Sequence, residues 1–251
     1  MFNIKATNKS RKLNQGLTLP EIIMSLVLMC IIMLILTRAW YLYQRNLQNQ
    51  LVAHQHEEAA RKVYALIRDS VHMAGHVGCR TVSAEFLVKG YDGIEFNRKS
   101  SLQVSSNMLG VMNQYFPVAT VIKPIRATSV LYVDTGAWFH SNQYLVIADC
   151  QHAEIFQVAG TTPEHGYQIV RSKRPLAYHY DVMAEVGRLD SREIYSKEDV
   201  IIHKRVSDKR LHYVKNVSGL VFVDDGYGVE FEFDTHVREN NKHWYGYASR
   251  W

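Results

Sequence analysis

Gly16-Leu17-Thr18-Leu19-Pro20-Glu21 and the run 22–36 that follows it decide how the rest of the chain is read. The fifteen residues 22–36 are apolar except for Ser25, and Glu21 is the only ionisable carboxylate in 17–36. About twenty residues at helical rise span roughly 30 Å, the thickness of a bilayer's hydrocarbon core. The stretch is therefore expected to cross a membrane. A carboxylate in such a helix costs about 2–3 kcal/mol at the membrane centre and less near the interface. Glu21 thus needs a cationic partner. A cut after Gly16 would supply one, because the new amine of Leu17 lies near the same level, on the same copy or on a neighbour.

The flanks agree with a cut there. Residues 1–16 carry Lys5, Lys9, Arg11 and Lys12 and no acid, the composition of a cytoplasmic leader. Pro20 is the fourth residue after Gly16. The first four amides of a helix have no intrahelical acceptor, so a proline there loses no hydrogen bond, whereas deeper in a helix it costs about 3 kcal/mol. A basic leader, a glycine, Leu-Thr-Leu-Pro-Glu and an apolar helix together resemble the class III signal of type IV pilins and pseudopilins. The resemblance implies cleavage between Gly16 and Leu17 by a prepilin peptidase, N-methylation of Leu17, and Glu21 as the in-membrane assembly carboxylate. Leu17 stands where the commonest family residue is Phe. An ordinary signal anchor with a chance carboxylate is the plainer alternative. A cleavable secretory signal fits worse: the apolar run is too long for one and ends in Leu36-Thr37-Arg38-Ala39-Trp40 rather than a small-residue site. Trp40, Tyr41 and Tyr43 read instead as interfacial anchors.

At 251 residues the chain has room beyond the membrane segment for one sizeable domain or two small ones. Its formal charge of +5 comes mostly from the leader; without those four cations, 25 basic side chains face 24 acidic ones. No global basic field is left to argue for nucleic acid. Cys30 lies in the apolar run. Cys79 and Cys150 lie beyond it, where an oxidising periplasm permits a bridge. Such a bridge closes a loop of about 70 residues, worth about 4 kcal/mol in the chain-entropy model. Two free buried thiols are the other reading.

From Arg38 to about Ala74 the pattern stays helical, with Tyr43, Leu47 and Leu51 and then Val63, Ile67 and Val71 repeating every four residues. His54-Gln55-His56-Glu57-Glu58 is polar all round and is expected to be exposed or loosened. Gly75, Gly78 and Cys79 end the helix. Residues 97–107 are polar and Ser-rich, an expected exposed loop. Strands are expected at 129–133, 144–148, 153–158, 166–170, 200–203 and 211–214. A closing hairpin, 217–223 and 227–233, turns at Asp224-Asp225-Gly226. The fold class expected is α+β: a long N-terminal transmembrane and amphipathic helix packed on an antiparallel sheet. The segments are a cleaved leader (1–16), the membrane part of the helix (17–36), its amphipathic part (37–74) and a β-rich periplasmic or extracellular domain (75–251).

Two internal stretches narrow the resemblance. Met73-Ala74-Gly75-x-x-Gly78-Cys79 is similar to the helix–domain junction of the PilW branch of minor pilins, although Ile67-Arg68 sits earlier than in that family. The stretch from Ala148 through Cys150 to Val158 resembles the family's strand carrying the second cysteine. The resemblance implies a Cys79–Cys150 disulfide, and a minor pilin that takes part in type IV pilus assembly in a priming or tip complex. It further implies support of twitching motility, adhesion or DNA uptake. The partners implied are other major and minor pilins, the prepilin peptidase and the assembly platform of the inner membrane. Such a chain is single-pass, with its N-terminus cytoplasmic, before assembly. It then enters a fibre at the surface of a Gram-negative cell. A minor pseudopilin of a type II secretion system, and a membrane-anchored periplasmic enzyme or binding module, are the alternatives.

Other constellations favour plainer readings. His72 and His76 are i, i+4 and close to Cys79, passable metal-ligand spacing, but no fourth ligand is nearby and the glycines fit a helix end. His54 and His56 fall on different helical faces. Asp224-Asp225-Gly226 lacks the length and the later glutamate of a calcium loop. No Gly-x-Ser-x-Gly, P-loop or dinucleotide fingerprint occurs, so neither catalysis nor a cofactor is expected. Arg192, Lys197, His203-Lys204-Arg205, Lys209-Arg210 and Lys215, interleaved with Tyr195 and Tyr213, form a possible phosphate stripe for DNA. With Glu193, Glu198, Asp199 and Asp208 among them, a solvated mixed-charge face is the default.

Overall fold

The computed structural model describes residues 19–83, 85–126, 128–205, 211–237 and 240–250. Gly16 and Leu17, with the expected cut and methylation, lie outside the described residues, as do Asp208, Lys209 and Arg210. The chain forms two compact units, Met1–Ala53 and His54–Trp251. In the first unit the described residues belong to one helix, α1 (Leu19–Met73), which continues into the second.

Helix α1 passes unbroken through 54–58; His54, Gln55, Glu57 and Glu58 are exposed as expected, and the expected loosening is absent. The reason is one inward residue: His56 is buried, and its Nδ1 lies 2.7 Å from Thr235 Oγ1. Beyond it Ala60, Val63, Ile67 and Val71 form a buried stripe at helical spacing.

After α1 come β1 (His76–Val77), β2 (Arg80–Thr81), β3 (Val88–Tyr91), β4 (Ile94–Phe96), the one-turn helix α2 (Arg98–Ser101), β5 (Leu102–Ser105) and β6 (Met108–Thr120). Next are β7 (Ile125–Arg126), β8 (Val130–Val133), β9 (Tyr144–Ala148), β10 (Ala153–Glu164), β11 (Tyr167–Ser172) and β12 (His179–Tyr180). The last are β13 (Glu185–Lys197), β14 (Val200–Arg205), β15 (Leu211–Lys215), β16 (Val217–Asp224), β17 (Gly228–Val237) and β18 (Asn240–Ser249).

The main sheet has the order β15-β14-β13-β9-β10-β11-β8, with β6 and β5 joined through β13 and with β3 and β4 joined through β10. It is mixed rather than wholly antiparallel: β3 runs parallel to β10, with Val88 opposite Ala153. Its longest ladder, β6 with β13, contains two strands that carry no strand-like pattern. Six of the thirteen β13 residues are charged, and β6 holds Gly110 and Pro117. The segment 97–107 is also ordered. Asn97 Oδ1 accepts from Lys99 N and Ser100 N, both at 2.9 Å, and Ser100 Oγ accepts from Asn97 N at 2.8 Å. Its polar residues cap α2, after which β5 and β6 form a hairpin with Leu102 buried.

The closing hairpin gains a third strand, giving the antiparallel meander β16-β17-β18. Its Phe222, Phe231 and Phe233 join the helix stripe and Leu109, Ile194 and Ile201 of the main sheet in one core. A second core surrounds Leu131, Phe139, Leu145, Phe156 and Tyr180, and a third surrounds Phe86, Phe96 and Val146.

Candidate functional site

Two places concentrate the features that point to function. The first is the start of α1. Pro20 and Glu21 lie in its first turn, where the proline removes no helical hydrogen bond and the carboxylate meets the positive end of the helix dipole. Every residue from 19 to 43 is exposed in the single chain, Leu19 to 75% and Leu34 to 70%. The helix is long and apolar enough to cross a membrane. Within 19–40 the two hydroxyls bond to the helix's own carbonyls, Ser25 Oγ to Ile22 O (2.9 Å) and Thr37 Oγ1 to Met33 O (2.9 Å), as hydrocarbon surroundings would require. Cys30 is a free, exposed thiol on this stretch. Trp40, Tyr41 and Tyr43 are exposed at its end, beside Arg38 and Arg45, the arrangement of an interfacial belt.

The second is the junction after the helix. Gly75 and Gly78 have φ of +74° and +55°, values that suit glycine. They let the chain leave α1 and turn at once: Gly75 N donates to Met112 O at 2.8 Å, and Gly78 N donates to Gln114 Oε1 at 2.6 Å. Cys79 and Cys150 are joined in a disulfide with Cα atoms 5.6 Å apart. Cys150 sits in the turn between β9 and β10 and not on a strand, held there by Asp149 Oδ1 accepting from Gln151 N (2.7 Å) and His152 N (2.5 Å). Gln114, which no sequence pattern marks, completes the junction: it is buried, and its Nε2 donates to Val146 O at 3.3 Å. The expected Cys79–Cys150 pair is therefore present, and Cys79 is not free to ligate a metal with His72 and His76. Among the described residues no three His, Cys, Asp or Glu side chains are grouped to hold a metal ion.

Three members of the basic cluster, Arg192, Lys204 and Arg205, are occupied by acids of their own sheet. Asp190, wholly buried, lies 2.8 Å from Arg192 Nε and 3.3 Å from Arg205 Nε, and Lys204 Nζ lies 3.1 Å from Glu193. The Arg205 guanidinium also covers the Tyr115 ring at 4.5 Å. Burial first, then the Arg192 and Arg205 charges, push His203 down to about 4, so it is neutral at pH 7. These groups build the sheet. At Asp224-Asp225-Gly226 the carboxylates are spent on the turn: Asp225 Oδ1 accepts from Tyr227 N (2.8 Å) and Gly228 N (2.6 Å), and Asp224 binds the Arg250 guanidinium. The two backbone bonds hold the Asp225 carboxyl below its usual range. Compared with family models, with curated proteins and with solved structures, the chain matches none.

Proposed function

We propose that the chain is a minor pilin of the PilW type, a structural and assembly protein of a type IV pilus. The observation that carries this reading is the first turn of α1: one carboxylate, Glu21, heads the apolar part of the helix, which is exposed on every side from 19 to 43 and long enough to span a bilayer. A bare apolar surface of that extent requires lipid or sister helices around it. In this reading a prepilin peptidase cuts between Gly16 and Leu17, and the methylated Leu17 amine of one copy neutralises Glu21 of its neighbour as helices dock. The chain waits in the inner membrane with its N-terminus cytoplasmic, then enters the priming or tip complex with other pilins at the assembly platform. From there it supports twitching motility, adhesion or DNA uptake. The disulfide-pinned junction and the β domain also support the reading, since both fit the expected architecture.

The test is Glu21→Ala in piliating cells. Membrane insertion should be unchanged while incorporation into the fibre is lost; normal incorporation removes the mechanism. Intact mass of the mature chain should begin at methyl-Leu17, and recovery of Met1 beside an active peptidase rules the reading out.

A further inference from the structure

Between α1 and the outer edge of β15 runs a cleft of about 390 Å³. Gln55, Glu58, Ala59 and Lys62 of α1 form one wall, and residues 213–216 form the other. Successive side chains of a strand point to opposite faces, so a wall that includes Tyr213, Val214 and Lys215 in succession is the strand's edge; Asn216, beyond the strand, accepts from His236 N at 2.9 Å and closes that end. β15 ends the strand order of the main sheet, and among the described residues it pairs with β14. Alternate residues of such a strand direct N–H and C=O groups away from their one partner, ready for another strand.

The dimensions fit a short extended peptide. A second cleft of about 390 Å³ shares Lys62 and Val214 with the first and continues it to Leu66 of the helix and to His212, His203 and Arg205 on the β15–β14 face. From Gln55 to Leu66 the helix rises about 16 Å, and the five residues of β15 span about the same. The trough therefore takes about five residues of extended chain. Leu211 and Tyr213 on this edge strand are 44% and 55% exposed, and Lys215 at its end is the one charged side chain on the strand. At the Lys215 end two ammonium groups, Lys62 and Lys215, stand against one carboxylate, Glu58, which is 2.7 Å from Lys62 Nζ. The wall is one positive charge in excess.

We propose that this trough binds an extended segment of a partner protein by strand addition along β15, with an acidic side chain of that segment at Lys62 and Lys215. Main-chain hydrogen bonds would supply the attraction and the trough walls the selection, the division of labour common to strand addition beside a helix. The proposal does not depend on the pilus reading, because every group it uses lies in His54–Trp251.

The experiment uses the full chain in detergent micelles and a fluorescein-labelled heptapeptide of alternating valine and glutamate, with a lysine-for-glutamate peptide as control. The glutamate peptide should bind saturably by anisotropy, and the lysine peptide about tenfold more weakly. At saturation, amide exchange at 211–215 should slow by about tenfold or more. Lys215→Glu, an exposed substitution, should weaken binding about threefold, and Ala59→Trp, which fills the cleft, should abolish it. Should Ala59→Trp fail to fold, Lys215→Glu and the exchange measurement decide. No saturable binding of the glutamate peptide, unchanged exchange at 211–215, unchanged affinity in Lys215→Glu, or equal binding of the lysine peptide would each overturn the proposal.

Discussion

His56 is one of the residues through which α1 and the closing meander meet by polar atoms. Thr235 Oγ1 donates to Lys242 O at 3.3 Å and accepts from Trp244 Nε1 at 2.9 Å. With that hydrogen committed, the 2.7 Å contact with His56 requires His56 to donate from Nδ1. Burial and the Lys242 charge hold the His56 pKa below its ordinary value, which suits a neutral donor. His56→Ala should therefore destabilise the fold by about 1–3 kcal/mol, against at most about 0.5 kcal/mol for the exposed neighbour Glu57→Ala, read as shifts in urea midpoint. His203 gives a pH-dependent counterpart. Unfolded, it takes a proton as pH falls through its ordinary value of 6.5; folded, it does so only near 4. Its contribution to stability is then full above about 6.5 and is lost as pH falls toward 4. The drop in melting temperature between pH 7 and pH 4.5 should shrink in His203→Gln, and an unchanged drop would assign the acid sensitivity to the carboxylates.

Helix α1 is seated on β18 at a position that admits only glycine. A Cβ on Gly246 would stand 2.3 Å from the Tyr64 ring and 2.5 Å from the Phe231 ring. Tyr64 lies edge-on to Phe231 and Phe233, with ring centres 5.2 and 5.8 Å away, and its hydroxyl donates to Tyr245 O. Gly246→Ala should force these rings apart and cost about 1–3 kcal/mol. Gly160→Ala, which meets nothing within 4 Å, should leave the urea midpoint nearly unchanged. This scale also shows what was legible in the residues alone. The helix, the turns at Gly75, Gly78 and Gly226, and strands such as β9 and β14 follow from apolar pattern and punctuation: the helix buries a stripe at helical spacing, β14 alternates, and β9 is an apolar run buried on both faces. β6, β13 and β18 do not. β13 pairs with three strands, β6, β9 and β14, and spends its charges within the sheet: Asp190 on Arg192 and Arg205, Glu193 on Lys204. Such pairing exists only after folding, so the charges read as surface until their partners are placed. The open edge of β15 was hidden for the same reason, since an edge is a property of sheet order.

Across the whole molecule the three cysteines divide by surroundings, and that division can be measured directly. Cys79 and Cys150 close a loop across 71 residues, tying the end of α1 to the β9–β10 turn. Cys30 stays free on an apolar helix. The oxidised chain should hold one titratable thiol after denaturation, and its intact mass should fall by about two hydrogens relative to the fully reduced chain. Replacing Cys79 and Cys150 together by alanine should lower the unfolding free energy by about 2–4 kcal/mol. The backbone bonds of Gly75 and Gly78 to β6 and Gln114 remain in that variant, so it should still fold, with a lower urea midpoint and an unchanged secondary-structure signal. Cys30→Ser should leave the midpoint where it was, because its thiol takes no part in the domain's packing. Equal losses from both replacements would mean that the thiol on the apolar helix carries structure as well, and one titratable thiol would then not suffice to describe the folded chain.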